Sequence, residues 1–185
     1  MTTPKINIIC ALSENRVIGN KNRIPWHIKD DLIRFKEKTL HHTVIMGRTT
    51  FESLLGYYQK SGKQLPERRH VIVSRDRNYQ VHLPDCFVAH SVDDAINLAI
   101  EKEIAPSATA AVAERGNGGE VFISGGASLF EQTIARANRL YLTLVHGQFE
   151  GDTYFPDYSE FTKVIGKEDK KTADGLAYTF LDLER

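Results

Sequence analysis

TVIMGRTTFES, residues 43–53, sets four residues suited to a buried strand, Thr43, Val44, Ile45 and Met46, directly before a glycine and then Arg48, Thr49 and Thr50. A strand that turns through glycine into a helix start is the building unit of an α/β protein. The turn itself admits two readings. Free backbone N–H groups, a guanidinium and two hydroxyls together suit a phosphate. A threonine cap beside a solvated arginine accounts for the same residues.

Working outward, strand-like runs stand at 6–12, 43–47, 70–74, 86–90, 120–124, 139–146, near 161–167 and at 177–184. Helical spacing falls between several of them. Residues 29–40 place Leu32, Phe35 and Leu40 inward, 92–102 carry Ala95, Ile96, Ala99 and Ile100 behind a Ser91 cap, 128–137 form a third helix and 49–55 a short fourth. After residue 138 only strands follow. The pattern predicts an α/β fold: a central mixed, mostly parallel eight-stranded sheet, flanked by about four helices and closed by an antiparallel C-terminal hairpin. The 185 residues fit one domain, with surface insertions at 56–67 and 104–120. Gly116, Gly118 and Gly119 in the second insertion open no helix and read as loop.

Lys plus Arg number 24 and Asp plus Glu number 24, so no net charge draws the chain to nucleic acid or to a membrane surface. Any anion site is local. Cys10 and Cys86 lie in apolar surroundings, where reduced thiols are commoner than a bridge. The start of the chain carries no secretory pattern, and no apolar run approaches a membrane span. A cytoplasmic protein is the expectation. The seven histidines show no metal-ligand spacing, and neither GxSxG nor a Walker motif occurs, so no metal is expected and serine hydrolase or P-loop chemistry is unsupported.

Four features carry chemistry, the 43–53 turn being one of them. The stretch 13–35, SENRVIGNKNRIPWHIKDDLIRF, holds some sixteen residues without regular pattern before a helix starts near Lys29, and such loops are commonly lids. In that helix Asp30 and Asp31 point about 100° apart. Asp31 shares a face with Phe35 and looks into an apolar cleft, whereas Asp30 can pair with Arg34 on the solvent side. A carboxylate so placed suits a cationic or amide-rich ligand; both aspartates equally complement a helix N-terminus. The strand 70–74 ends in Ser74 and Arg75, an anion clamp or a solvated strand end. The segment EVFISGGASLFE, 120–131, runs strand, Gly125–Gly126, helix: a close approach of backbone to a ligand, or a plain tight turn. Three of these features fall at carboxyl ends of parallel strands, where α/β sheets bind ligands. Phosphate-competent turns beside an acidic pocket under a lid point to an anionic dinucleotide next to a nitrogen-rich ring.

The segments NRVIGNKNRIPW, DLIRFK, TVIMGRTTFES, LPERRHVIVSR, EVFISGGASLFEQ and RLYLTLVHGQFEGDTYFPDY, in this order, resemble the dihydrofolate reductase family of the bacterial chromosomal kind over almost the whole chain. The resemblance implies NADPH-dependent reduction of 7,8-dihydrofolate by hydride transfer to C6 with water-delivered protonation of N5, in a monomer that also binds antifolate inhibitors. It assigns Asp31 to the pterin 2-amino group and N3, Thr143 to that carboxylate and a nearby water, and Trp26 to ordering water behind the lid. Ile9, Ala11, Phe35, Ser53, Leu54 and Ser124 fall on the folate pocket, and Arg68 on the glutamate α-carboxylate. Ala11, Ile18 and Gly19 fall on the nicotinamide side. Gly47, Arg48, Thr49 and Thr50 match the dinucleotide grip, Ser74 and Arg75 the surroundings of the 2′-phosphate, which favours NADPH over NADH. Gly125 and Gly126 match a cis glycine pair, with Ala127, Ser128 and Leu129 opening a helix near the pyrophosphate. Asp152 matches a distant loop residue that steadies the lid.

Three positions depart from the family pattern: Ser124 stands for a branched apolar residue, Phe130 for a tyrosine, and Ser128 for an arginine found in some members. Two other readings are a pyrimidine reductase of riboflavin synthesis, which shares the fold but gives no reason for Trp26 with Asp31, and a non-catalytic nucleotide-binding module, which has no use for a buried acid.

Overall fold

The computed structural model describes residues 3–105 and 119–185. Most of the 104–120 insertion, with Gly116 and Gly118, lies outside the described residues. Among those described, one eight-stranded sheet has the order β5-β4-β3-β6-β1-β7-β10-β9. Its strands are β1 (Lys5–Ser13), β3 (Thr43–Gly47), β4 (Arg69–Val73), β5 (Cys86–Ala89), β6 (Glu120–Ile123), β7 (Arg139–Val145), β9 (Lys163–Lys171) and β10 (Ala177–Glu184). Each pairing from β5 across to β7 is parallel; β10 runs antiparallel to both β7 and β9. The mixed sheet with its C-terminal hairpin is the one expected.

Alternation along the strands divides the core between two faces. Ile9, Val44, Met46, Ile72 and Phe122 point to one face and pack with Phe51 and Phe35 from helices α2 (Arg48–Lys60) and α1 (Lys29–Thr39). Ile8, Ile45, Val71 and Ile123 point to the other, against Ala95, Ile96 and Ala99 of α3 (Val92–Ile104) and Leu129 and Phe130 of α4 (Ala127–Thr133). With helices on both faces, β3 is apolar throughout rather than alternating, and Thr43, Val44, Ile45 and Met46 are all buried. Ser91 caps α3 as the sequence predicts, its hydroxyl accepting from the Asp94 N–H at 3.1 Å.

The structure corrects several expectations. The segment 13–35 is not without pattern: β2 (Val17–Gly19) pairs antiparallel with β8 (Thr153–Tyr154). Strands of three and two residues are too short to show alternation, and their partners lie more than a hundred positions apart. The 56–67 insertion begins as helix, because α2 runs through Gly56 to Lys60. Glycine costs about 1 kcal/mol there relative to alanine, but half-buried Leu54 and Tyr58, one turn apart, extend the packed face past it. Gly62, at φ +66, then lets the chain leave the helix, its N–H donating to Gln59 O. Helix 128–137 is shorter than predicted, with a 3-10 turn over Ile134–Arg136. Leu32, expected inward, is 41% exposed.

Candidate active site

The carboxyl ends of β1, β3, β4 and β6 bring Ala11, the turn Gly47–Thr50, Ser74 with Arg75, and Ser124–Leu129 to one edge, because parallel strands all deliver their following turns to the same side; Arg68 instead precedes β4. Asp31 occupies the first turn of α1, where the N-terminal dipole favours an acid, and no side chain caps that helix. The Thr143 hydroxyl on β7 donates to Asp31 Oδ1 at 2.6 Å. Burial pushes the Asp31 carboxyl above its usual range, while the Thr143 hydrogen bond and the Arg34 guanidinium pull it partly back. Cys10 on β1 is a free thiol, held well above its ordinary pKa by burial and by the charge of Asp31, so it stays protonated and inert.

Asp30 does not pair with Arg34. It accepts from Tyr178 Oη at 2.9 Å and lies 3.9 Å from Lys170 Nζ, while Arg34 crosses to Asp182 on β10 and donates to Leu142 O at 3.3 Å. The i, i+4 spacing makes Asp30 and Arg34 neighbours, but the partners across the hairpin are better placed for both.

Arg68 directly precedes β4. It is 5% exposed, its guanidinium sits over the Phe35 ring at 4.8 Å, and its Nε, Nη1 and Nη2 are buried with no hydrogen-bond partner among the described residues. Burial lowers its pKa to about 10, against an opposing pull from Tyr58. A buried guanidinium with free donors fits a planar or tetrahedral oxyanion, a carboxylate or a phosphate, in bidentate geometry. Phe35 thus stands between an acid one helical turn back on α1 and the cation over its ring. Ile9, Ala11 and Leu54 are buried or half-buried around it, and Ser53 on α2 is exposed. His70, behind Arg68, is pushed down to about 4 by burial and by that guanidinium, so its ring is neutral.

The second half of the site is built from backbone. Gly47 N–H donates to Gly125 O at 2.8 Å and joins the β3 turn to the β6 turn. Gly125–Gly126 is cis, with Gly125 at φ +124, and Thr50 lies 3.7 Å from the position a Cβ on Gly125 would occupy. Gly47 caps α2 with no side-chain hydrogen bond, so the N–H groups of Arg48, Thr49 and Thr50 at that 13-residue helix start have no side-chain acceptor from the cap. Gly126 caps α4 in the same manner, ahead of Ala127, Ser128 and Leu129. Backbone donors and a nearby guanidinium are the chemistry of a phosphate cradle. Arg48 stands over the Tyr79 ring at 5.5 Å, 3.6 Å from Asp76 and 3.8 Å from Glu52. Ser74 is buried and accepts from the Asp76 N–H at 3.2 Å, while Arg75 is exposed beside it. The Ser124 hydroxyl is buried without a hydrogen-bond partner among the described residues, exposed Ser128 accepts from Gln132 at 3.0 Å, and Phe130 packs on Phe155 at 5.0 Å.

Trp26 packs edge-on against Phe149 at 5.1 Å, and its Nε1 is buried with no hydrogen-bond partner among the described residues. The segment carrying Ile18 and Gly19 is tied down by Asp152, whose carboxylate accepts from the Lys21 N–H at 2.9 Å and from Thr153 at 2.8 Å while its N–H donates to Gly19 O at 3.1 Å. These donors hold the Asp152 carboxyl below its usual range. The neighbouring Gly151 packs so closely that a Cβ would lie 2.3 Å from Val17 Cγ1 and 2.7 Å from Gly19 O. Gly151→Ala is therefore expected to lower stability by about 1–3 kcal/mol, read as a fall in Tm, by forcing β2 off β8.

Sequence reasoning missed Arg34 as a member of the site. The signal was present: Arg34 is three residues from Asp31, a spacing that shares a helix face as surely as four does.

A family model described as dihydrofolate reductase matches residues 5–185. A dihydrofolate reductase of Staphylococcus aureus is 36% identical over 185 residues, covering 97% of this chain and 98% of that protein. A dihydrofolate reductase type 3 of Salmonella typhimurium is 42% identical over 153 residues, covering 83% and 79%. A solved dihydrofolate reductase of Enterococcus faecalis, complexed with NADP(H) and RAB-propyl, superposes with a TM-score of 0.76 at 28% identity, covering 99% and 97%. The family match, a full-length relative and the shared fold agree with the acid and the buried cation on either side of Phe35 and with the glycine-lined turns: the chain belongs to the dihydrofolate reductase family.

Proposed function

We propose that residues 1–185 act as one monomeric, cytoplasmic catalytic domain that reduces 7,8-dihydrofolate to 5,6,7,8-tetrahydrofolate with NADPH, and so supplies one-carbon metabolism. The observation that carries this reading is the arrangement around Phe35, which reads as one slot, with the Asp31 carboxylate one helical turn away at one end and the Arg68 guanidinium, without a hydrogen-bond partner among the described residues, at the other. Its two ends match the two ends of a folate: a hydrogen-bond-donating pterin edge and a glutamate carboxylate.

Asp31, held by Thr143, accepts from the pterin 2-amino group and N3, fixing the ring and favouring its protonated form. It does so as a charge in a desolvated pocket, where electrostatic stabilisation is strongest. Thr143 aligns the carboxylate, and Trp26 Nε1 orders the water that passes a proton to N5. Ile9, Ala11, Leu54, Ser53 and Ser124 border the ring and tail, and Arg68 takes the α-carboxylate. The same slot accepts antifolate inhibitors. On the cofactor side, Gly47, Arg48, Thr49, Thr50, Gly125, Gly126, Ala127, Ser128 and Leu129 hold the phosphates, Ser74 and Arg75 the 2′-phosphate, and Ala11, Ile18 and Gly19 the nicotinamide, with Asp152 steadying the covering segment. NADPH bound there supplies the hydride for C6. Because Ser128 brings no charge, Arg48 and Arg75 carry the cationic share of that grip.

The test is the loss of NADPH absorbance when dihydrofolate is added; absence of turnover would sink the proposal. Arg48→Ala is expected to weaken NADPH about tenfold, the loss of one half-exposed charge-assisted contact, while leaving dihydrofolate affinity near the parent value. Equal losses in titrations of the two ligands would count against the assignment.

A further inference from the structure

Arg34 is clasped by Asp182 across the C-terminal hairpin, donates to the carbonyl of Leu142 and lies under the ring of Phe180, 4.6 Å from its centre. Its side chain is 11% exposed and that of Asp182 is 19%, so solvent screens the pair less than it would a surface ion pair. Leu142 directly precedes Thr143, the residue that donates to Asp31, and Arg34 is three positions from Asp31 on α1. The guanidinium is thus anchored to the same strand that aligns the carboxylate and faces the same side of the helix.

We propose that Arg34, locked by Asp182, is a positioning residue for the reaction, holding Asp31 in the place and charge state in which it meets the substrate ring. This rests on the reading of Asp31 as the ring-binding acid. Charge balance around the pair gives the proposal its sign. Arg34 favours ionised Asp31, and it is the one cation among the causes acting on that carboxyl. Asp182 offsets part of that charge, and Lys38, 3.6 Å from the second Asp182 oxygen, offsets Asp182 in turn. The other groups against Asp31 are Cys10, which stays a protonated thiol, Thr143, and Tyr178, whose phenol donates to Asp30 and is held up to about 12. Tyr141 on β7 feels the charge of Asp182, and Asp30, Glu37, Lys38, Lys167, Glu168 and Lys170 line, with Arg34 and Asp182, an open groove of about 570 Å³.

Removing either partner therefore has opposite effects. In Arg34→Met the acid limb of kcat/KM for dihydrofolate moves to higher pH; in Asp182→Asn, which frees the guanidinium's full charge, it moves to lower pH; in Arg34→Lys it returns toward the parent. Titration of the Asp31 carboxyl carbon by NMR in the protein without ligands moves in the same directions. A merely structural pair would lower Tm in both variants and leave both titrations where they are, and that result, or displacement of both in one direction, overturns the proposal. Asp31→Asn separates the two readings. If that variant keeps the acid limb, the limb is not Asp31's and both readings fall; if it loses the limb while Arg34→Met and Asp182→Asn leave the NMR titration unmoved, only the role of Arg34 falls. Should Arg34→Met fail to fold, Asp182→Asn and Arg34→Lys still decide the sign.

Discussion

Asp31→Asn is expected to lower kcat/KM for dihydrofolate at neutral pH by about 10²- to 10³-fold, the range for removing one preorganised electrostatic contact to developing charge, while raising Tm. The two effects have one cause. Asparagine keeps the shape and can still accept from the Thr143 hydroxyl, but it removes the charge. The charge is what the protonated ring needs and what the folded chain tolerates least. The Asp31 carboxyl is raised by burial, so the folded state binds its proton more tightly than the unfolded state does. Stability associated with this group is therefore fully present below the unfolded pKa and is lost as pH climbs through the folded one. At neutral pH the ionised side chain is a net cost, and the neutral amide relieves it. The Tm gain of Asp31→Asn over the parent should shrink as the pH falls toward the unfolded carboxyl range. Turnover as fast as the parent's, measured by NADPH absorbance, would refute the role; a Tm gain unchanged with pH would refute the cause.

What the sequence disclosed follows from how far each signal reaches along the chain. Strand β3 is legible because both its faces are covered, leaving an unbroken apolar run that ends at a glycine. Asp31 is legible because its pocket neighbour Phe35 lies one helical turn away. The partner of Arg34 is not, since Asp182 stands 148 positions off and Asp30, on spacing alone, is an equal claimant. The pairing of β2 with β8 is hidden for the same reason, made worse by strands too short for any period. The extension of α2 is hidden by Gly56, where local propensity argued for a loop and the packing of Leu54 and Tyr58 overrode it. Arg68 and Arg69 read alike in the sequence, two adjacent cations in a polar stretch. The structure separates them: Arg69 reaches the carbonyls of Lys102 and Ala105 at the end of α3, a cation satisfied by a helix C-terminus, and Arg68 turns inward to no acceptor among the described residues. Only the family resemblance had singled out one of the pair.

That inward turn sets the second large effect. Arg68→Met is expected to raise KM for dihydrofolate by about 10²-fold or more, as truncating one partner of a buried charge pair costs about 2–5 kcal/mol, with a much smaller change in NADPH affinity. Without ligands, the same substitution is expected to raise Tm. The guanidinium loses its contact over Phe35, worth about 0.5–2 kcal/mol, but it also sheds a desolvation penalty of several kcal/mol that no hydrogen bond offsets. Methionine fills similar space with an apolar chain, so the balance favours the variant. The depressed pKa of about 10 has the matching sign: a base that binds its proton less tightly when folded costs stability while charged. Added dihydrofolate should then reverse the order, because ligand stabilises the parent in proportion to the logarithm of its affinity and the variant far less. A thermal shift that leaves parent and variant in the same order with and without dihydrofolate would show that Arg68 does not meet the substrate's carboxylate. A fall in Tm for the ligand-free variant would show that the buried cation is satisfied within the fold.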